Sequence, residues 1–292
     1  MCFIRSRQCL QFAITIWLAA GVAATAQSER ELFNQTRDGV EAEHGRFLEI
    51  AREVAFTTAD EQPLTLREQP IMNWSNPARN GEVGSIFVWE AAGRPAVVGT
   101  VFTYGAFNKS IRTKLAVHSL SSASVQATLD GAIVWKPEQP GLVWHTASTK
   151  PEPAGAAALR LVRMRAIARE FKLTLSLPNK TTETLRLLPQ PLYRYQSDAA
   201  KVVDGGIFGF VTATDPGALL FVEAVTSGNG IEWRYALARF HFAEIEAAYQ
   251  GPAVWKTELE FDQRNNRLGD PNFQDRIYST MLIGEHFPEP PQ

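Results

Sequence analysis

Asp204-Gly205-Gly206-Ile207-Phe208-Gly209-Phe210-Val211-Thr212-Ala213-Thr214-Asp215-Pro216-Gly217-Ala218-Leu219-Leu220-Phe221-Val222-Glu223-Ala224-Val225 is the stretch from which the fold is read. Two apolar, β-rich runs flank Thr214-Asp215-Pro216-Gly217. Pro fixes φ and Gly permits positive φ, so the stretch reads as a hairpin turning at that tetrapeptide. The same pattern stands 121 positions earlier, where Gly84-Ser85-Ile86-Phe87-Val88-Trp89 leads through Gly93-Arg94-Pro95 into Val97 to Phe102.

Residues 69–101 set against 190–222 without gaps share nine of 33 positions, among them Gln69/Gln190, Pro70/Pro191, Gly84/Gly205, Phe87/Phe208 and Pro95/Pro216. Chance gives roughly two at ordinary residue frequencies. Trp74 stands opposite Tyr195, and Trp89 opposite Phe210. Flanking blocks keep the same order: Ile50 to Val54 with Ile167 to Phe171, and Gly131 to Lys136 with Gly251 to Lys256. A period this long is that of a domain or half-domain, not of a solenoid.

The expected organisation is a signal peptide over 1–26, a polar lead-in over 27–41 and a first α+β copy over 42–136. A Pro-rich linker over 137–155, a second copy over 156–258 and a polar tail over 259–292 follow. Phe47, Ala51 and Val54 mark one buried helical stripe between about Glu41 and Phe56. Leu161, Met164, Ala168 and Phe171 mark another between Ala156 and Leu173. Each copy reads as one helix followed by about five mostly antiparallel strands, an α+β fold of cystatin-like flavour. Two such copies are expected to pack with pseudo-two-fold symmetry. Ser227-Gly228-Asn229-Gly230 is a turn that sets Glu223 across from Arg234 as a cross-strand ion pair.

The N-terminus has the parts of a secretory signal. Arg5 and Arg7 form the charged region, Leu10 to Ala20 the apolar one, and Ala24-Thr25-Ala26 the cleavage site, leaving Gln27 first in the mature chain. The chain is therefore expected to be exported, to the periplasm or beyond, with no stable membrane span after signal removal. Both cysteines, Cys2 and Cys9, fall in the signal, so disulfides, thiol catalysis and thiolate metal sites are excluded from the mature chain. A formal net charge of -2 gives no reason to expect nucleic acid as a partner.

No strong catalytic signature is present: no G-x-S-x-G elbow, H-E-x-x-H, P-loop or Rossmann glycine pattern. His44, His118, His145, His241 and His286 stand at no metal-ligand spacing, and no metal or cofactor is expected. Asp262, Asn265, Asn266 and Asp270 lack the spacing of an EF-hand loop and read as turn residues. The helix face Arg160, Arg163, Arg165 and Arg169 reads as solvated. The candidate ligand-binding residues are Tyr193, Arg194, Tyr195, Trp233, Arg234 and Tyr235, because aromatics beside Arg are what a binding cleft or an interface uses. In strands the same residues also serve a core.

The run Leu185 to Tyr195 with Asp204-Gly205 and Thr214-Asp215-Pro216, and likewise Arg163 to Ala166, Phe87-Val88-Trp89 and Gly93-Arg94-Pro95, resembles a set of uncharacterised exported proteins of planctomycete-type bacteria. The resemblance implies export and no particular activity. Gly93 to Val98 is also similar to the second strand of flavin-binding split barrels, but nothing here matches their phosphate-binding residues.

The expectation is an exported, non-enzymatic binding or scaffold protein with an extracytoplasmic ligand or protein partner, engaged at the junction of the halves or on the second. One alternative is an extracellular hydrolase of a polar polymer drawing its acids from Glu90, Asp204, Asp215 or Glu223. Another is a carrier of an apolar small molecule, which needs a cavity of a few hundred Å³.

Overall fold

The computed structural model of the 292-residue chain describes residues 39, 41–76, 82–105, 110–147, 155–179, 181–228, 230–260 and 275–287. The expected signal peptide and cleavage site, and the stretch 261–274 with Asp262, Asn265, Asn266 and Asp270, lie outside them. The chain divides into two compact units, residues 1–46 and 47–292. Of the first, the described residues are helical, with Arg46 paired to Glu43 at 2.8 Å. The second holds everything that follows.

Helix α1 covers 41–53. The strands after it are β1 (Ala55–Thr58), β2 (Thr65–Leu66), β3 (Met72–Asn76), β4 (Glu82–Ala91), β5 (Arg94–Gly105), β6 (Ile111–Ser119), β7 (Val125–Leu129), β8 (Ala132–Trp135) and β9 (His145–Thr146). Helix α2 (Ala157–Arg169) comes next. It is followed by β10 (Phe171–Ser176), β11 (Thr182–Leu187), β12 (Tyr193–Ser197), β13 (Val202–Thr212), β14 (Asp215–Ser227), β15 (Gly230–Arg239), β16 (Glu244–Tyr249), β17 (Ala253–Thr257) and β18 (Tyr278–His286).

The expected two copies of one helix and five strands are not the architecture. The described residues are 58% strand and 13% helix, in several sheets that include a half-barrel. One sheet has three strands in the order β1-β7-β8, and one has six, β18-β6-β5-β4-β2 with β3 also on β4. The third has nine, β17-β16-β10-β11-β13-β14-β15-β9 with β12 also on β13. Strands of the first segment are thus split between two sheets, while those of the second run in one. The strand count differs from the expected one for a physical reason. Short polar-faced strands such as β2 and β9 bury too little to leave a pattern, and Pro70 divides what reads as one strand, Leu64 to Trp74, into β2 and β3.

The linker and the tail are also partly sheet. His145–Thr146 pairs with β15, and residues 278–286 form β18 along β6, with Tyr278 opposite His118 and Met281 opposite Leu115. The helices stop earlier than the apolar stripes suggest, because Phe56 and Phe171 belong to the strands that follow, β1 and β10.

The turn of the second hairpin is Ala213-Thr214, two residues before the expected tetrapeptide centre. Ala213 takes φ 53°, and Asp215, Pro216 and Gly217 already belong to β14. In the first hairpin Ala92 and Gly93, at φ 48° and 76°, form the two-residue turn. Two positive φ values match the twist of the flanking strands, so the turn closes tightly. Pro95 and Pro216 each fall at a register shift, where a missing N–H costs the ladder least.

Three apolar layers result. The layer under α1 contains Phe47, Ala51, Val54, Phe87, Trp89 and Val101. The layer under α2 contains Met164, Ala168, Phe208, Leu220, Trp233 and Tyr235. Between the two large sheets lie Trp74, Ile86, Val88, Tyr195, Ile207, Leu219, Phe221 and Phe240. Central strands are therefore buried on both faces, which is why Ile86 to Trp89 and Ala218 to Val222 are unbroken apolar runs. Two glycines admit rings into the middle layer. The indole of Trp74 lies where a Cβ of Gly84 would stand, and the phenol ring of Tyr195 where a Cβ of Gly205 would. Any larger residue at either place displaces the ring.

Candidate binding cleft

Strand alternation separates the six expected ligand residues into three groups. Trp233 and Tyr235 point under α2 and are buried there. Tyr235 stacks on His145 at 5.3 Å and meets Phe171 edge-on at 5.0 Å. Arg194 points to the same side of its sheet and closes on Asp204 at 2.6 Å. Asp204 also receives Arg160 at 2.9 Å, so two guanidiniums tie α2 to β12 and β13 through one buried carboxylate. Arg160, expected on a solvated face, is itself buried.

Tyr193, Tyr195 and Arg234 do come together, on the face between the sheets. Their centre is Glu223, which is 0% exposed. Arg234 lies opposite it in register, as expected from the turn, and donates to Oε2 from Nε at 2.8 Å and from Nη2 at 2.5 Å. Arg94, from the first hairpin, donates to Oε1 at 2.9 Å and to Oε2 at 3.2 Å. The Tyr195 hydroxyl donates to Oε1 at 2.7 Å, and burial, then the Glu223 charge, push its pKa well up, so it keeps its proton. The Trp144 ring lies 4.4 Å from the Arg234 guanidinium and 5.2 Å from that of Arg94. Next to this, Tyr193 donates to Glu90 at 2.5 Å and carries Arg67 over its ring at 4.8 Å. The buried charges at this end of the middle layer are internally paired, and a cavity of about 340 Å³ borders them at Trp144 and Arg234.

The other end is open as well, and its walls are more aromatic. A cavity of about 300 Å³ lies there, walled by Trp74, Phe102, Tyr104 and Thr100 from β3 and β5, and by Tyr278 and Thr280 from β18. Phe240, His241, Phe242, Asp215 and Pro216 close it from the nine-stranded sheet, and Glu82 and Lys114 add charge. Local structure fixes these walls. The Ala213-Thr214 turn is seated on β3, where the Thr214 hydroxyl meets both the N–H and the C=O of Ser75, so Asp215 is held at the rim. Trp74 is locked by donating from Nε1 to Thr100 at 3.2 Å. Trp74, Phe102 and Tyr104 form a tilted series with successive centroids 6.0 Å apart. The Lys114 ammonium lies 5.6 Å from the Tyr104 ring centre. Nδ1 of His241 accepts from the Ala243 amide at 3.0 Å. Burial pushes the Tyr278 phenol up, so it too stays protonated.

The four carboxylates considered as catalytic acids are dispersed. Glu90 is bonded to Tyr193, Asp204 to Arg160 and Arg194, and Glu223 to Arg94, Arg234 and Tyr195; Asp215 alone of the four lines the cavity. Among the described residues no group of three His, Cys, Asp or Glu is placed to hold a metal ion, and no helix is long and apolar enough to cross a membrane.

Sequence reasoning missed Arg94 and Trp144, which reach Glu223 from outside its own hairpin, and, apart from Asp215, the walls of the cavity. A signal existed. Phe102 and Tyr104 alternate at the end of β5, and Phe240 and Phe242 alternate in the bend just after β15. No family model matches the chain, and neither a curated protein nor a solved structure matches it.

Proposed function

We propose that this chain is an exported binding protein whose ligand sits in the aromatic cleft between its two large sheets. The observation that carries the reading is the cleft itself: a cavity of about 300 Å³, walled by Trp74, Phe102, Tyr104, Phe240 and Tyr278, with polar groups converging from both sides. Binding sites are concave and mostly apolar, with a few placed polar groups that orient the ligand. The pairing of Glu90, Asp204 and Glu223 with internal partners speaks against the hydrolase that would use them. Lys114, Asp215 and Glu82 in the walls speak against a carrier of wholly apolar molecules.

Export rests on the pattern of residues 5–26 and is read from the mass of the secreted chain, which should begin at Gln27. Cleft binding is tested with the neutral fluorophore N-phenyl-1-naphthylamine. Its emission should rise saturably with the full chain, and Phe102→Ser should weaken it by about tenfold, the equivalent of one lost aromatic wall. A response unchanged in Phe102→Ser would place the probe elsewhere and remove the support for this site.

A further inference from the structure

The cavity of about 340 Å³ at the Glu223 end has a floor set by strand register. Arg234 lies opposite both Glu223 and Thr146, and Glu232 lies opposite Val225. Residues directly opposite each other point to the same face of a sheet, and so do residues two apart in one strand. Thr146, Val225, Ser227, Glu232 and Arg234 therefore share the face on which Glu223 lies. Trp144 joins them, its ring 4.4 Å from the Arg234 guanidinium, and all six line the cavity. Lys201 closes it from the turn between β12 and β13. The backbone of that turn is fixed on two sides. The Lys201 N–H donates to the Asp198 carbonyl at 3.0 Å, and the Lys201 carbonyl accepts from Thr226 at 2.9 Å.

The charge here is positive. Two guanidiniums, Arg94 and Arg234, serve the single carboxylate of Glu223, so one positive charge is left over. Tyr195, the third partner, keeps its proton and adds no charge. The next carboxylate, Glu90, accepts from Tyr193, which carries Arg67 over its ring, so that group brings one charge of each sign. Arg234 directs Nε and Nη2 to Glu223. Its side chain is 27% exposed, and Nη1 is the part of the guanidinium left for the cavity. Lys201 is exposed and adds an ammonium with no ion-pair partner among the described residues. The carboxylate in the lining is Glu232, which accepts from Ser227 at 2.9 Å. Asp198 is exposed and belongs to an adjoining cavity that shares Lys201.

We infer that this cavity binds a small organic carboxylate, with its acid group at Arg234 Nη1 and the Lys201 ammonium and its body against the Trp144 ring. A guanidinium offers a carboxylate a planar fork of donors, and an ammonium beside it adds a point charge. An organic cation is disfavoured, because Arg94 and Arg234 already lie against the same ring. A bare inorganic anion would leave the ring and most of the volume unused. The site is separate from the aromatic cleft and goes beyond the function proposed for it.

The test is calorimetry on the full chain with three probes of one shape: benzoate, benzamide and benzamidinium. Benzoate should bind about tenfold more tightly than benzamide, the gain of one charge-assisted contact, and benzamidinium should bind more weakly still. Lys201→Gln should weaken benzoate several-fold and leave benzamide unchanged, while Lys201→Arg should keep most of the benzoate affinity. Lys201 is exposed and its turn is held by backbone groups, so both variants should melt with the parent chain. Benzoate should not displace N-phenyl-1-naphthylamine from the aromatic cleft. The assignment is overturned if benzoate gives no heat at millimolar concentration, or if benzamide or benzamidinium binds as tightly. It is equally overturned if Lys201→Gln binds benzoate like the parent chain, or if benzoate displaces the fluorophore. Each of these outcomes leaves the cleft reading standing, whereas failure of the fluorophore alone removes the cleft and leaves this site.

Discussion

Glu223 shows how a single side chain can decide the packing of two sheets. A carboxylate with 0% exposure is tolerable only when its charge is matched and its lone pairs are filled. Arg94, Arg234 and Tyr195 do both. Glu223→Ala should destabilise the chain by about 3–5 kcal/mol, because it strands two guanidiniums against an apolar layer. Arg94→Met should cost clearly less, since Arg234 and Tyr195 still serve the carboxylate. Urea midpoints at constant m-value check the ranking, and equal losses would mean that the two arginines do not share the load. Half of this site was legible in the sequence. A turn at Ser227 fixes the Glu223–Arg234 register by counting residues, whereas Arg94 and Trp144 arrive through tertiary docking, which leaves no local pattern.

His118 makes a second prediction at this scale. Its ring is buried, Nδ1 donates to the Ser119 carbonyl at 2.6 Å, and burial, opposed in part by that hydrogen bond and aided by Arg239, lowers its pKa from 6.5 to about 4. The folded state thus resists a proton that the unfolded state takes up. Stability from this group is complete above pH 6.5 and is lost as the pH falls toward 4, by about 3 kcal/mol in all. Urea titrations at pH 7, 5.5 and 4.5 should show the decline, and His118→Gln should flatten that share of it.

At the scale of elements, hairpins and glycines carry the design. β4 and β13 each place a glycine, Gly84 or Gly205, under an aromatic ring of the neighbouring strand. These glycines were visible in the sequence as matched positions, and the aromatics as matched partners, Trp74 and Tyr195. What could not be read was that the ring lies on the glycine, because that requires β3 and β12 as separate short strands. Gly205→Ala should cost about 1–3 kcal/mol through overpacking, with Tyr195 driven off Glu223. Near-ultraviolet circular dichroism of the tyrosines should change with it. A variant with the wild-type melting temperature and spectrum would show that the ring contact is slack. The turn centre was misplaced by two residues for a related reason: Pro216 and Gly217 are strong turn formers, yet the ladder absorbs them at a bulge while Ala213 takes the positive φ.

For the whole molecule, the strand exchange between segments settles how the body from Phe47 onward must fold. β9 precedes α2 in the chain but completes the nine-stranded sheet on β15. β18 comes last but completes the six-stranded sheet on β6, covering Leu115 with Met281. The middle layer draws Trp74, Ile86 and Val88 from one side and Tyr195, Ile207 and Phe221 from the other, so neither sheet has a closed core by itself. A linker and a tail were expected where these two strands lie, because their sequences are rich in Pro or polar residues, and an edge strand needs little apolar surface. Residues 39–147 and 155–292 expressed separately should therefore fail to fold. The first lacks β18 and half of the middle layer, and the second lacks β9, Arg94 and Trp144 beside Glu223. Co-expressed, they should associate, and the intact chain should unfold in one transition with coincident fluorescence and far-ultraviolet signals. Two separated transitions, or a folded monomeric fragment, would show instead that each sheet closes its own core and that the docking of the hairpins adds only orientation.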